Sequence, residues 1–254
     1  MKIACVLVTH LRAKVEMRKQ PHLKDQPALI VDRSQGRPMV IDHFPAASGM
    51  VAGMTLEQAL SHQHDGIVLE ADESAYRRVF HRMLLSLQGI SDRVEGAELG
   101  TAYVRLDGLE ALYGGEARLV TTLLNVVSQN LTPRVGVGDA KFPAYVAART
   151  SQPLGAAKAP PDASAFLAPQ PVDLLPIPPK IRDELRRFGL HTLGDVAAVK
   201  QDALTDRFGP EGRRAWALAI RRTREGSVSE NTPPPVAVAN RSSNAPFVPL
   251  RPVR

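Results

Sequence analysis

Residues 94–108 read VEGAELGTAYVRLDG. Two short alternating runs meet there at Gly100, and a glycine can take the backbone conformation that a tight strand connection needs. They predict an antiparallel strand pair. Before the pair, Tyr76, Val79, Phe80, Met83, Leu84 and Leu87 fall on one helical face, with Arg77, Arg78 and Arg82 off it. After it, Leu119, Val120, Leu123, Leu124 and Val127 mark a helix from Glu116 to about residue 130. RVGVG (134–138) reads as a strand and residues 140–149 as a helix, while IACVLV (3–8) is a short buried-strand run. In chain order this is strand, helix, strand, strand, helix, strand, the split ferredoxin-like pattern of an α+β fold. Residues 1–10 and 72–158 form its body. Residues 11–71 are an insertion after the first strand, holding a strand at 28–31 and a helix that starts at Thr55.

The stretch AAKAPPDASAFLAPQPVDLLPIPP contains seven of the chain's 21 prolines. Residues 159–179 are therefore expected to be a linker or extended strap rather than a core element, with a domain boundary. Residues 180–226 read as a helical unit: KIRDELRRF with Ile181, Leu185 and Phe188 inward, a turn at Gly189, then TLGDVAAV, DALTDRFG and EGRRAWALAIRR. Helix, Gly-Leu hairpin, helix is the helix-hairpin-helix look of modules whose hairpin amides face phosphate. The prolines of LPIPPK stand where that motif carries a Gly-x-Gly turn, and proline has no amide to donate. Residues 227–254 lack periodicity and are expected to be mostly disordered.

Charge is unevenly placed. Between Lys180 and Arg224 there are eleven Lys or Arg against six Asp or Glu, whereas residues 1–179 sum to about zero. A basic segment of this kind is the footprint of a partner with a phosphate backbone or an anionic surface. Arg186, Arg187, Arg213, Arg214, Arg221 and Arg222 are spaced to face outward while Leu185, Phe188, Trp216 and Ile220 pack inward. With Lys180 they are the candidate DNA-binding residues. The first apolar run is too short for a membrane span and lacks a small-residue cleavage site. One cysteine, Cys5, makes no internal disulfide and no cysteine-based zinc cluster. The expected location is cytoplasmic. His62 and His64 read as a solvated turn, not a metal pair, and VGVGD reads as a strand end in a tight turn.

The run AKVEMRKQPHLKDQPALIV resembles the first motif of Y-family translesion DNA polymerases, and SGMVAGMTLEQAL resembles their finger segment. AYVRLDGLEALYGG with RVGVGDAKFPAYVAA is similar to their palm. PVDLLPIPPKIRDELRRFGLHTLGDVAA is similar to the thumb of the inactive ImuB-type members. The resemblance implies a palm with a small finger insertion, then a helix-hairpin-helix thumb, with the family's little-finger domain absent after it. It also implies two metal ions held by palm carboxylates. The matching positions are Leu7, Gly100 and Thr101, and no Asp or Glu occurs from Met1 to Val15. Glu98 and Asp107 lie on the strand pair, read as a rim charge and a turn residue.

Several nucleotide-handling positions also differ from the family's pattern. The sugar-stacking aromatic falls on Arg12, and the triphosphate-holding finger residues fall on Val40, His43 and Ala46. Lys141 matches a phosphate-contacting lysine and reads equally as a solvated lysine at a helix start. The expectation is a protein that is not an enzyme: a non-catalytic, nucleoid-associated DNA-binding accessory of SOS-type damage tolerance and translesion synthesis. It would need no cofactor, magnesium entering only if polymerase activity is retained. Its implied partners are DNA without sequence preference, a catalytic replicative-type polymerase and a recombinase-like accessory protein. A sliding clamp is a doubtful partner, because the tail after Ser227 has no Gln and only Phe247 and Leu250 as anchors. Two alternatives stand beside this reading: an active error-prone polymerase with displaced metal ligands, and a regulatory DNA-binding protein unrelated to repair.

Overall fold

A computed structural model of the protein describes residues 1–220 except 35, 48 and 51. Arg221, Arg222 and the tail, with Phe247 and Leu250, lie outside the described residues. β1 (Ile3–Leu7) is buried at every position and lies between two antiparallel neighbours. The chain then leaves this sheet through α1 (Leu11–Lys19), β2 (Ala28–Asp32), β3 (Met39–His43), α2 (Leu56–His62) and β4 (Ile67–Glu70). These strands make a second sheet, order β3-β2-β4, with β4 parallel to β2. Sequence patterning did not reveal β3 or β4. α2 starts where Thr55 predicts, because the Thr55 hydroxyl accepts from the Gln58 amide and the Gln58 side chain accepts from the Thr55 amide.

α3 (Glu73–Gln88), capped by the Asp72 carboxylate at 2.9 Å from the Ala75 amide, returns the chain to the first sheet. There follow β5 (Val94–Gly96), β6 (Thr101–Arg105), α4 (Leu109–Leu112), α5 (Glu116–Val126), β7 (Arg134–Gly138), α6 (Lys141–Thr150) and β8 (Ala156–Lys158). The sheet order is β5-β6-β1-β7-β8. Its first four strands have the order of a split ferredoxin-like unit, and β8 adds an edge strand parallel to β7. α5 stops four residues before its predicted end because Val127 is already extended.

Strand alternation sends the two faces of β1 to different helices. Ala4, Val6 and Val8 join Tyr76, Met83 and Leu87 of α3 and Leu119 and Leu123 of α5 in the main core. Cys5 and Leu7 point the other way, onto Ala144 and Ala148 of α6. The insertion is not a separate body, since Leu11, Val15, Ile30 and Phe44 are buried in the same main core.

The proline-rich stretch differs from the linker the composition predicts. It contains α7 (Ser164–Leu167), and Leu167, Val172 and Leu175 are fully buried there. With Leu185 of α8 (Pro179–Arg187), Leu193 and Val196 of α9 (Leu193–Ala198) and Leu204 and Phe208 of α10 (Gln201–Ala219), they form a second core that takes in Phe142 and Val146 of α6. Fully burying a leucine is worth about 2 kcal/mol, so these apolar residues between the prolines hold the stretch down. α10 bends at Gly209 (φ 63°, ψ −146°), just before Pro210, at the break between the two predicted helices. One inward assignment is corrected: Phe188 is 55% exposed, because it follows the last turn of α8 rather than continuing its buried face.

Candidate nucleic-acid interface

The palm face is set by how β1 meets the turn before β6. Leu7 pairs with Thr101 across the ladder, the Val8 amide donates to the Gly100 carbonyl at 2.7 Å, and the Thr101 amide donates to the Glu98 carbonyl at 2.8 Å. Leu7 is 5% exposed and packs with Cys5, whose thiol burial pushes above its ordinary range. Gly100 has φ +90°, and a Cβ there would stand 2.5 Å from the Val8 carbonyl oxygen. Magnesium takes oxygen ligands, carboxylate oxygens above all. An aliphatic side chain, a glycine and a buried threonine do not fit a pair of divalent cations. Among the described residues no group of three or more His, Cys, Asp or Glu could hold a metal ion.

Nor does the fold bring Glu98 and Asp107 together. Glu98 lies in the turn beside the Leu7 end of β1, whereas Asp107 lies at the opposite end, accepting from the Lys2 amide and from Arg105 Nε, each at 2.9 Å. The backbone donor holds the Asp107 carboxyl below its usual range. Lys141 Nζ donates to both Glu95 carboxylate oxygens, at 3.1 and 2.9 Å, and sits 5.7 Å from the centre of the Tyr103 ring. Arg12 Nε donates to Glu73 at 2.7 Å. In the insertion Val40 is buried, Ala46 is exposed, and His43 contacts the Phe44 carbonyl through Nδ1 at 3.1 Å.

The sequence reading missed a polar knot where the insertion meets the palm. Asp42, 7% exposed, contacts His10 Nδ1 at 2.7 Å and accepts from the amides of His43 at 2.9 Å and Ala13 at 3.1 Å. His10 has the left-handed φ of 50° there. An acid inside the apolar run MVIDHF was the available signal, since a strand places such an acid inward only when it has partners. Lys14, near this knot, has its amine pushed down to about 8, chiefly by burial and also by Arg134, with Asp42 opposing.

A lysine with a lower pKa folded than unfolded costs stability below its folded value, and that cost fades as pH rises toward its unfolded value. Lys14→Met is therefore expected to raise the melting temperature at pH 7, with the gain gone near pH 10.5. Thermal unfolding across that range checks it; a gain independent of pH, or no gain, would mean that Lys14 is solvated.

On the helical unit, Lys180, Arg187 and Arg213 are exposed and Arg214 is partly buried, and none makes an ion pair among the described residues. Arg186 differs, because it is clasped between Asp173 and Asp183, which offsets its charge. Arg207, which the sequence reading passed over, lies 4.8 Å from the centre of the Phe188 ring. No described helix is long and apolar enough to cross a membrane.

The model of the impB/mucB/samB family matches residues 8–149. The chain is 30% identical to the DNA polymerase IV of Caulobacter vibrioides over 212 residues, 82% of this chain and 53% of that protein. It is 28% identical to the DNA polymerase IV of Mannheimia succiniciproducens, over 80% of this chain and 59% of that protein. The chain thus spans about half the length of the curated relatives it matches. In fold it is similar to the crystal structure of DinB from Sulfolobus solfataricus, with a TM-score of 0.72 and 22% identity over 89% of this chain and 69% of that one. An insertion ternary complex of Dbh DNA polymerase aligns with a TM-score of 0.66 and 22% identity, over 86% of this chain and 67% of that one. These relatives overturn the expectation that the chain is not an enzyme. They carry the name of an active enzyme class, and nothing positive shows loss of catalysis. The side chains at Leu7, Gly100 and Thr101 describe the donor set at three positions and not the activity of the protein.

Proposed function

The chain belongs to the impB/mucB/samB family, the Y-family of DinB- and UmuC-like polymerases, and we propose that it works on DNA in damage tolerance, gripping the phosphate backbone with its helical unit beside the palm. The observation that carries this reading is the placement of Lys180, Arg187, Arg213 and Arg214. They stand without ion pairs among the described residues, on a unit whose core is continuous with α6 of the palm. Cations with no internal partner can each displace a counterion from a phosphate, and that supplies affinity without sequence preference. In this reading α8 and α9 are the thumb, a helix-hairpin-helix variant with its hairpin at Gly189 and Leu190, while Pro178 and Pro179 stand at the start of α8 and offer no amide there. The sequence resemblance supports a catalytic replicative-type polymerase and a recombinase-like protein as partners at the lesion.

The test is a binding titration on two unrelated duplexes with the whole chain and with Arg213→Glu/Arg214→Glu. The double variant is expected to bind both duplexes about tenfold or more weakly, and the slope of log affinity against log salt should flatten by about one unit per lost contact. Unchanged binding by a correctly folded variant would move the DNA surface elsewhere. Weakening on one duplex only would mean base readout.

A further inference from the structure

α3 carries a cationic face that the DNA reading does not use. Arg77, Arg78, His81 and Arg82 are all exposed on it, and Glu73 is the helix's one acidic residue. Glu73 is already held by Arg12 at 2.7 Å and reaches Arg77 only at 4.0 Å. Arg78 contacts the Ser74 hydroxyl at 3.1 Å, and neither Arg78 nor Arg82 makes an ion pair among the described residues. Leu85, 53% exposed, continues the row Arg78, Arg82, Leu85. The buried residues of α3 pack on the side of the sheet that receives Ala4, Val6 and Val8, whereas α6 and the helical unit lie against the side that receives Cys5 and Leu7. A duplex held by the helical unit therefore meets the other side of the sheet.

We propose that this face of α3 docks an acidic amphipathic helical segment of a partner protein. Residues four apart on a helix repeat about every 6 Å along its axis. The rows Arg77–His81 and Arg78–Arg82 thus match carboxylates placed at i and i+4 on a facing helix. Arginine takes a carboxylate through two parallel donors, which suits such pairs better than a point charge does. An apolar side chain from the same partner covers Leu85, and a phosphate backbone has nothing to offer at that position. Arginine beside an exposed apolar residue is also the composition of protein interfaces.

The probe is a fluorescein-labelled peptide of about 18 residues, long enough for a helix, with glutamates at i and i+4 and a leucine stripe. Its control replaces every glutamate with lysine. The whole chain is expected to bind the glutamate peptide and not the control, in a salt-sensitive way. Arg78→Glu/Arg82→Glu should weaken the peptide by about tenfold or more, since it sets like charges against each other, while duplex affinity changes less than about twofold. Arg78→Lys/Arg82→Lys keeps the charge and should lose an intermediate part of the affinity, separating paired donors from mere attraction. Circular dichroism and the melting temperature confirm that the variants fold. Absence of peptide binding, or peptide binding untouched by the charge reversal, overturns the proposal. Loss of duplex affinity equal to the loss of peptide affinity overturns it too, and makes the face a second phosphate surface.

Discussion

Leu7→Asp is expected to lower the stability of the folded protein by about 3 kcal/mol or more at pH 7.5, although the sequence resemblance implies an acid of the family's pattern at this position. Leu7 is 5% exposed and packs on Cys5, Ala144 and Ala148, and of its ladder neighbours Thr101 and Arg134 the arginine already donates through Nη1 to the Arg149 and Ser151 carbonyls. Burial raises a carboxyl's pKa, so the folded variant keeps a proton that the unfolded chain has lost. Stability then falls as pH rises from the unfolded value near 4 through the raised folded value. The deficit should therefore be small near pH 4 and largest at neutral pH. Leu7→Met, similar in volume, should cost less than about 1.5 kcal/mol at either pH. Urea unfolding of both variants at the two pH values reads this directly. A deficit under about 1 kcal/mol at pH 7.5 would show that water or a basic side chain reaches the position.

Gly136→Ala should be similarly damaging, for a steric reason. A Cβ on Gly136 would stand 2.0 Å from the Ala144 carbonyl oxygen and 2.2 Å from the Ala148 amide nitrogen, both backbone atoms of α6. Neither can yield unless the whole helix lifts from β7. α6 also lends Phe142 and Val146 to the second core, so lifting it disturbs both cores. A loss of about 3 kcal/mol or more is expected, which for a chain of this size lowers the melting temperature by roughly 6 to 12 °C. Gly108→Ala is the comparison. Unlike Gly136, Gly108 has a left-handed φ, +84°, but nothing lies within 4 Å of its Cβ position, so only backbone strain of about 1–2 kcal/mol applies. If the two variants melt together, the contact between α6 and β7 is looser than described.

Much of this was legible in the sequence because it rests on local periodicity. The strand pair around Gly100, the apolar face of α3 and the Thr55 cap are each set within a few residues, where side-chain spacing and capping chemistry decide the structure. The order of these elements was enough to yield the sheet order β5-β6-β1-β7. The uneven charge was legible as well, since counting needs no coordinates.

What the sequence determined by itself was therefore the element order of the split ferredoxin-like unit, the basic helical segment and the non-carboxylate residues at Leu7, Gly100 and Thr101. Tertiary structure decided whatever depends on which distant residues meet. Proline content reads as a linker, yet Leu167, Val172 and Leu175 are buried because α6 and α8 to α10 present an apolar surface for them to cover. An arginine's count says nothing of its availability: Arg186 is offset by Asp173, thirteen residues away, while Arg78 and Arg82 stand without ion pairs among the described residues, on the far side of the sheet. Asp42 and His10 are 32 residues apart and meet only where the insertion folds back on the palm. The physical reason is that hydrophobic burial and charge compensation act between surfaces brought together by folding, whereas helix and strand patterning acts along the chain.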